Sequence, residues 1–132
     1  MANNLPKYRR GSAWRDGRSV CALGSGRSSS TADGASNTFT FTIKEDCHLL
    51  RLVIESDDGA GASTNAGISV STLEHNNDSL LNGSSVCASL FDANAIGSPM
   101  LGQFARVNDN LQVTIVNNSG AARFFNATFT VI

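Results

Sequence analysis

The sequence predicts an all-β fold, an antiparallel β-sandwich or barrel, and three observations support it. Apolar residues alternate with polar residues in several short runs, and turn-forming residues separate those runs. No segment keeps a 3.6-residue apolar period over ten residues, which argues against long helices. A chain of 132 residues has the length of one domain with a self-sufficient core.

Six runs are predicted to be strands. In residues 38–43, threonine alternates with Phe39, Phe41 and Ile43, so the three large side chains lie on one face. The dense apolar run at 47–55 is typical of a central strand covered on both faces. In the last run, Phe125 and Phe129 share a face with two smaller apolar residues. That last run is residues 123–132, and the other three are residues 68–74, residues 85–91 with Val86, Ala88 and Leu90 in phase, and residues 111–116 with Leu111, Val113 and Ile115 on one face.

Residues that tolerate positive φ, or that fold the chain back through their side chains, lie between these runs. We expect residues 117–120 to form a tight hairpin between the last two strands. Short strands at this spacing are typical of a sandwich, with a single jelly roll and other Greek-key orders both open. The best helical candidate is the short stretch 91–96. The other predicted turns are residues 57–59, 82–83 and 108–110.

The first 36 residues differ from the rest, and we interpret them as an N-terminal arm ahead of a β-sandwich domain at residues 37–132. Residues 24–36 are rich in Gly and Ser and show no periodicity, so we expect an extended arm there, with a flexible hinge at residues 24–28. Residues 20–23 are a short strand candidate within the arm. We expect Val20 and Ala22 to pair with the sheet edge of another subunit.

Charge is divided between the two ends of the chain. The first thirty residues carry six basic and one acidic side chain, a net +5, whereas the other 102 carry four basic and ten acidic, a net −6. Arginine binds phosphate and carboxylate through two parallel hydrogen bonds, and aromatic side chains stack on bases. Like charges grouped at a terminus often form interaction arms. The predicted contacts to a neighbouring subunit or an anionic partner are Lys7, Tyr8, Arg9, Arg10, Trp14, Arg15, Arg18 and Arg27.

The sequence predicts no catalytic residue, metal site or cofactor. Cys47 and His48 are adjacent on a predicted strand, so their side chains point to opposite faces and do not share a metal. His75 begins a polar loop and is expected to be solvated. With Cys21 and Cys87, the cysteines are odd in number and widely spaced, so no disulfide framework follows. Carboxylates that meet across a sandwich leave no sequence signature.

The N-terminus lacks the apolar run of a secretory signal, and no apolar stretch approaches the length of a membrane-spanning helix. The protein is therefore expected to stay in the compartment where it is made. Charged residues make up 16% of the chain, against about 25% in typical soluble domains. A surface with so little charge repels neighbouring copies weakly, which suits a protein that associates with others.

A basic, Gly/Ser-linked arm ahead of a compact antiparallel domain resembles the small single jelly-roll structural proteins of virus particles, such as bacteriophage capsid, penton and minor capsid proteins. The segment NLQVTIVNNSGAARFFNATFTVI (residues 110–132) resembles the last hairpin of jelly-roll vertex proteins. The resemblance covers residues 38–132 as a pattern. It implies a virion protein, made in the host cytoplasm, that associates with itself and with other virion proteins. It implies neither catalysis nor a small-molecule substrate.

Two other functions stay open. Asn-rich loops at residues 76–78 and 108–110 are compatible with a carbohydrate- or receptor-binding module, although the only Trp, Trp14, lies in the arm. The basic arm is also compatible with a nucleic-acid-binding protein, and contact of the arm with anionic lipid is a further possibility.

Overall fold

The computed structural model describes residues 21–60, 64–81, 85–92 and 101–132. Within these residues the chain forms nine β-strands and one short 3₁₀ helix, which spans Ala88–Phe91. The predicted turn at 82–83 lies outside them, as does most of the predicted helical stretch 91–96. The strands are β1 Cys21–Gly24, β2 Ser36–Thr42, β3 Cys47–Asp57, β4 Ile68–His75, β5 Asp78–Ser79, β6 Val86–Cys87, β7 Gln103–Ala105, β8 Asn110–Asn117 and β9 Phe124–Val131.

The strands form two antiparallel sheets. The first sheet has the order β1-β9-β3-β7, and the second has the order β2-β8-β4-β5, with β6 also pairing with β4. Outside the β4–β6 region, consecutive strands lie in different sheets, so the chain passes repeatedly from one sheet to the other. The predicted all-β, antiparallel architecture is confirmed.

One apolar core receives side chains from both sheets. Phe41 of β2 and Phe129 of β9 meet edge to face, with ring centroids 5.0 Å apart and planes at 88°. Such aromatic pairs contribute about 0.5–1.5 kcal/mol beyond the burial of their area. The inward faces predicted for β8 and β9 are confirmed, because alternate residues of both strands are buried. These residues are Leu111, Val113 and Ile115 on β8, and Phe125, Ala127, Phe129 and Val131 on β9.

A β-bulge explains the dense apolar run of β3. Leu49 and Leu52 are both fully buried although they lie three positions apart, because the pairing with β9 shifts register between Leu49 and Arg51. A bulge inserts one extra residue, so the side chains on either side of it reach the same face. On the other face of β3, His48 and Glu55 are exposed. The prediction of a strand covered on both faces is therefore wrong.

Residues 85–91 are only partly extended. After the two residues of β6 the chain turns into the 3₁₀ helix, in which Ala88 and Phe91 are buried. A 3₁₀ helix has three residues per turn, so positions three apart share a face. Leu90 consequently points outward and is 47% exposed. The prediction of a strand over residues 85–91, with Leu90 in phase with Ala88, is therefore wrong from Ala88 onward.

The connection between β8 and β9 is longer than predicted. β8 extends to Asn117 and β9 begins at Phe124, and the two strands lie in different sheets. The tight hairpin expected at residues 117–120 is therefore wrong, and a loop over residues 118–123 joins the sheets instead. Asn117 is completely buried, although its residue type and position predicted an exposed turn.

Candidate interaction surface

The serine-rich part of the predicted arm lies along β9 of its own chain. Ser25 donates its N–H to the Ala127 carbonyl (2.9 Å), and its Oγ accepts the Ala127 N–H (3.0 Å). Ser28 makes the same pair of contacts with Phe125, at 2.7 Å and 2.9 Å. Each serine thus uses a hydroxyl where a strand residue would use its carbonyl. We name residues 25–31 the serine segment; the expectation of a flexible hinge is wrong there.

β1 also pairs within the chain. Its four residues run antiparallel to β9, with Ala22 opposite Thr130 and Leu23 opposite Phe129. This pairing uses one side of β1, which is the edge strand of its sheet, so the predicted pairing of Ala22 with another subunit stays a prediction. Val20 lies outside the described residues. Period-two patterning identifies a strand but carries no information about which edge the strand joins.

A buried amide fastens the end of the serine segment to the β8–β9 loop. Thr31 and Arg123 exchange backbone hydrogen bonds of 2.8 and 2.9 Å. The Asn117 Nδ2 donates to the carbonyls of Thr31 (2.9 Å) and Ala121 (2.8 Å). Its Oδ1 accepts from the N–H (3.0 Å) and Oγ (2.7 Å) of Ser119. All four hydrogen-bonding positions of the amide are used.

Arg27 is the predicted contact residue that the structure describes, and its guanidinium is held within its own chain. Nη2 lies 2.7 Å from Asp57 Oδ1, and Nε lies 3.3 Å from Oδ2. The guanidinium also stacks 3.8 Å from the ring centroid of Phe124. The other predicted contacts lie outside the described residues: Lys7, Tyr8, Arg9, Arg10, Trp14, Arg15 and Arg18.

The charges of this pair reinforce each other. The hydrogen bond from Arg27 lowers the pKa of Asp57, and the backbone N–H of Gly59 lowers it further. The same bond raises the pKa of Arg27. The Arg27 side chain is still 52% exposed. No sequence signal linked Arg27 to Asp57, because the two residues lie thirty positions apart and come together only when the serine segment docks.

Two turns meet at one end of the second sheet. Asn76 and Asn77 join β4 to β5 with φ of 51° and 71°, the left-handed conformations of a two-residue type I′ hairpin. The nearby turn before β8 contains Asn108, with φ of 74°. The side-chain Oδ1 of Asn76 accepts the backbone N–H of Asn110 (2.9 Å). Asparagine tolerates this region better than other non-glycine residues, so the Asn-rich loops are structural at these positions.

His75 and Asp109 join the two turns, with Nε2 and Oδ2 2.8 Å apart. The prediction of a solvated His75 is wrong, because only 12% of its side chain is exposed. Asp109 Oδ2 also accepts the backbone N–H of Arg106 (2.9 Å). This backbone bond, the Asn76 side chain and His75 together lower the pKa of Asp109 to about 2.

The lowered pKa of Asp109 predicts a loss of stability in acid. A carboxylate with a lower pKa in the folded state stabilises the protein above its unfolded pKa, and this contribution disappears as the pH falls toward the folded pKa. The loss should therefore run from about pH 4 down to about 2. Urea unfolding at several pH values should show a shallower pH dependence over this interval for Asp109→Asn than for the wild type.

Asp78→Asn, which removes an exposed carboxylate from the neighbouring strand β5, controls for the change in net charge. Equal pH dependences for the wild type and Asp109→Asn would contradict the assignment.

Across the described ranges, no group of three or more His, Cys, Asp and Glu side chains is arranged to hold a metal ion. None of the helical structure described is long and apolar enough to cross a lipid bilayer. Cys47 is buried and His48 exposed, which confirms their opposite orientations. No family model, curated protein or solved structure matches the chain.

Proposed function

We propose that the protein is a self-assembling structural subunit of a virus particle, a capsid, vertex or minor capsid protein of a bacteriophage, and that its two sheets form a single jelly-roll sandwich. The pairing pattern carries the proposal. The first strand pairs with the last, β2 with β8, β3 with β7, and β4 with β6. A long antiparallel hairpin wrapped around a core has this nested order, with four strand pairs alternating between two sheets. Two Greek keys combined in this way make a jelly roll.

Jelly rolls occur in capsid proteins, lectins and cupins, so the fold alone does not select one of these functions. The division of charge along the chain favours the capsid role. Residues 1–20 hold five basic and one acidic side chain, whereas residues 21–132 hold five basic and ten acidic ones. We name residues 1–20 the leader and residues 21–132 the folded unit. The leader, with a net charge of +4, and the folded unit of another copy, with a net charge of −5, attract each other. Arg27, the sixth basic residue of the predicted arm, is already paired with Asp57. The interaction arm of this proposal is therefore residues 1–20.

The proposal predicts that the leader drives assembly without supporting the fold. Replacing Arg9, Arg10, Arg15 and Arg18 together by Ser should weaken assembly, because the attraction to acidic neighbours is lost. The melting temperature should stay within about two degrees, since surface substitutions change stability by less than about 0.5 kcal/mol. Native mass spectrometry and electron microscopy of the full-length chain would measure the assemblies.

Replacement of the same four residues by Lys is the matched control, because it keeps the charge and removes only the two-pronged geometry of Arg. A full-length protein that stays monomeric at high concentration would contradict the proposal. A truncation that tests the leader must end at residue 20, because removal of residues 1–30 also deletes β1 and most of the serine segment.

Binding experiments on the same purified protein would test the two alternative functions, nucleic-acid binding and carbohydrate binding. Binding to nucleic acid through the leader would make log K fall with log[salt] by about 0.9 for each phosphate contacted on duplex DNA. A saturable ligand on a glycan array, with no assembly, would favour a carbohydrate-binding module.

A further inference from the structure

The outer edge of the second sheet is a strand without the usual protection. β2 pairs with β8 in an unbroken register over all seven of its residues. Natural edge strands avoid joining other chains by being very short, by carrying Lys or Pro, or by bulging. The sequence of β2, SNTFTFT, contains no charge, no Pro and no Gly. No strand of the described residues pairs with the outer side of β2, so this edge can accept a further strand.

The ends of the ladder show which backbone groups of β2 face outward. The Ile43 N–H donates to the Asp109 carbonyl (2.9 Å), and the Asn117 N–H donates to the Ala35 carbonyl (2.9 Å). Antiparallel ladders alternate, so the odd-numbered residues of this segment bond to β8 and the even-numbered residues present their N–H and C=O groups at the edge. Among the described residues, no backbone bond outside the ladder reaches the even-numbered ones. They are Ser36, Thr38, Thr40 and Thr42, and all four are exposed.

We propose that two copies of the chain pair through their β2 edges, antiparallel about a twofold axis, and so join two second sheets into one continuous sheet. An antiparallel edge is self-complementary, because a twofold rotation brings each outward N–H opposite a carbonyl of the same strand. The occupant that fits is a second β2 rather than the basic leader. The edge carries no charge to attract the five Lys and Arg residues of that segment.

One register uses the whole strand. With Phe39 on the axis, Thr38 lies opposite Thr40 of the second copy, and Ser36 lies opposite Thr42. All four outward residues are then hydrogen-bonded, and Phe39 faces its own counterpart in a non-hydrogen-bonded pair, where side chains are closest. Phe39 is half-buried in the single chain and touches the core. Pairing would cover the remainder of its ring.

The pairing stands apart from the leader, and the two are tested separately. Sedimentation equilibrium of the full-length protein should show a dimer that dissociates on dilution. Thr40→Lys should raise the dimer dissociation constant at least about tenfold, equivalent to about 1.4 kcal/mol, because a charge would be placed in the paired edge. Thr40→Pro should act similarly, since it removes an N–H that faces outward and leaves the ladder to β8 intact.

Gln112→Lys is the matched control. Gln112 lies directly opposite Thr40 on β8, so the same charge is added to the same sheet face one strand away from the edge. Its dissociation constant should remain within about twofold of the wild type, less than 0.5 kcal/mol.

Hydrogen exchange provides a readout within the wild-type protein. The amides of Thr38 and Thr40 should gain protection as concentration rises, while those of Phe39 and Phe41, bonded to β8, should be protected throughout. A protein that is monomeric at all concentrations would overturn the proposal, as would a dimer that Thr40→Lys leaves intact. A dimer lost only in the Arg→Ser variant would assign association to residues 1–20 instead. A β2-edge dimer that never forms particles would support the pairing and contradict the virion function.

Discussion

Asn117→Ala is expected to lower the free energy of unfolding by about 4 kcal/mol. The substitution removes four hydrogen bonds at once, each contributing about 1 kcal/mol. It also leaves the Ser119 N–H without its acceptor and a space where a fully buried amide was packed. Urea unfolding followed by circular dichroism would measure the difference.

The neighbouring Asn118 provides the control for this substitution. Its side chain is exposed, so Asn118→Ala should change the free energy of unfolding by no more than about 0.5 kcal/mol. If Asn117→Ala costs less than about 1 kcal/mol, then Asn117 does not hold the serine segment to the β8–β9 loop as described.

The double substitution Ser25→Ala with Ser28→Ala should lower the free energy of unfolding by about 2–4 kcal/mol. The backbone N–H groups of Ala127 and Phe125 would lose the hydroxyls that accept them. Both bonds are part-buried, so each donor left without a partner should cost about 1–2 kcal/mol, the lower part of the range for buried donors. Thermal and urea unfolding of the full-length chain would measure the loss.

Ser29→Ala with Ser30→Ala is the matched control, since it makes the same chemical change twice in the same segment. Both residues are exposed, so the free energy of unfolding should stay within about 0.5 kcal/mol of the wild type. Equal effects of the two pairs would contradict the role of Ser25 and Ser28 as substitutes for strand residues.

These two expected outcomes would show that the folded unit begins before residue 36. The sequence placed the boundary after residue 36, because a Gly/Ser-rich stretch lacks apolar surface to bury. In the structure the docking of that stretch depends on hydroxyl and amide hydrogen bonds to β9. Gly26, with φ of 74°, turns the chain between Ser25 and Ser28 so that their spacing matches Ala127 and Phe125. Composition does not reveal such contacts.

The sequence by itself determined the five longest strands and most of their inward faces, but it did not indicate the short strands β5 and β7. Alternation along β8 and β9 was sufficient, because a period of two assigns each side chain to a face whatever the partner strand is. Local pattern failed where the period changed, at the bulge in β3 and at the 3₁₀ helix that exposes Leu90.

Only the tertiary structure decided the partners. The nested strand pairing, the intrachain position of Ala22, the Arg27–Asp57 pair and the His75–Asp109 pair all join residues far apart in the chain. Backbone hydrogen bonds are the same for every residue type except Pro, so the ladder carries no sequence code for which strands meet. That choice follows from the burial of all the inward faces in a single core.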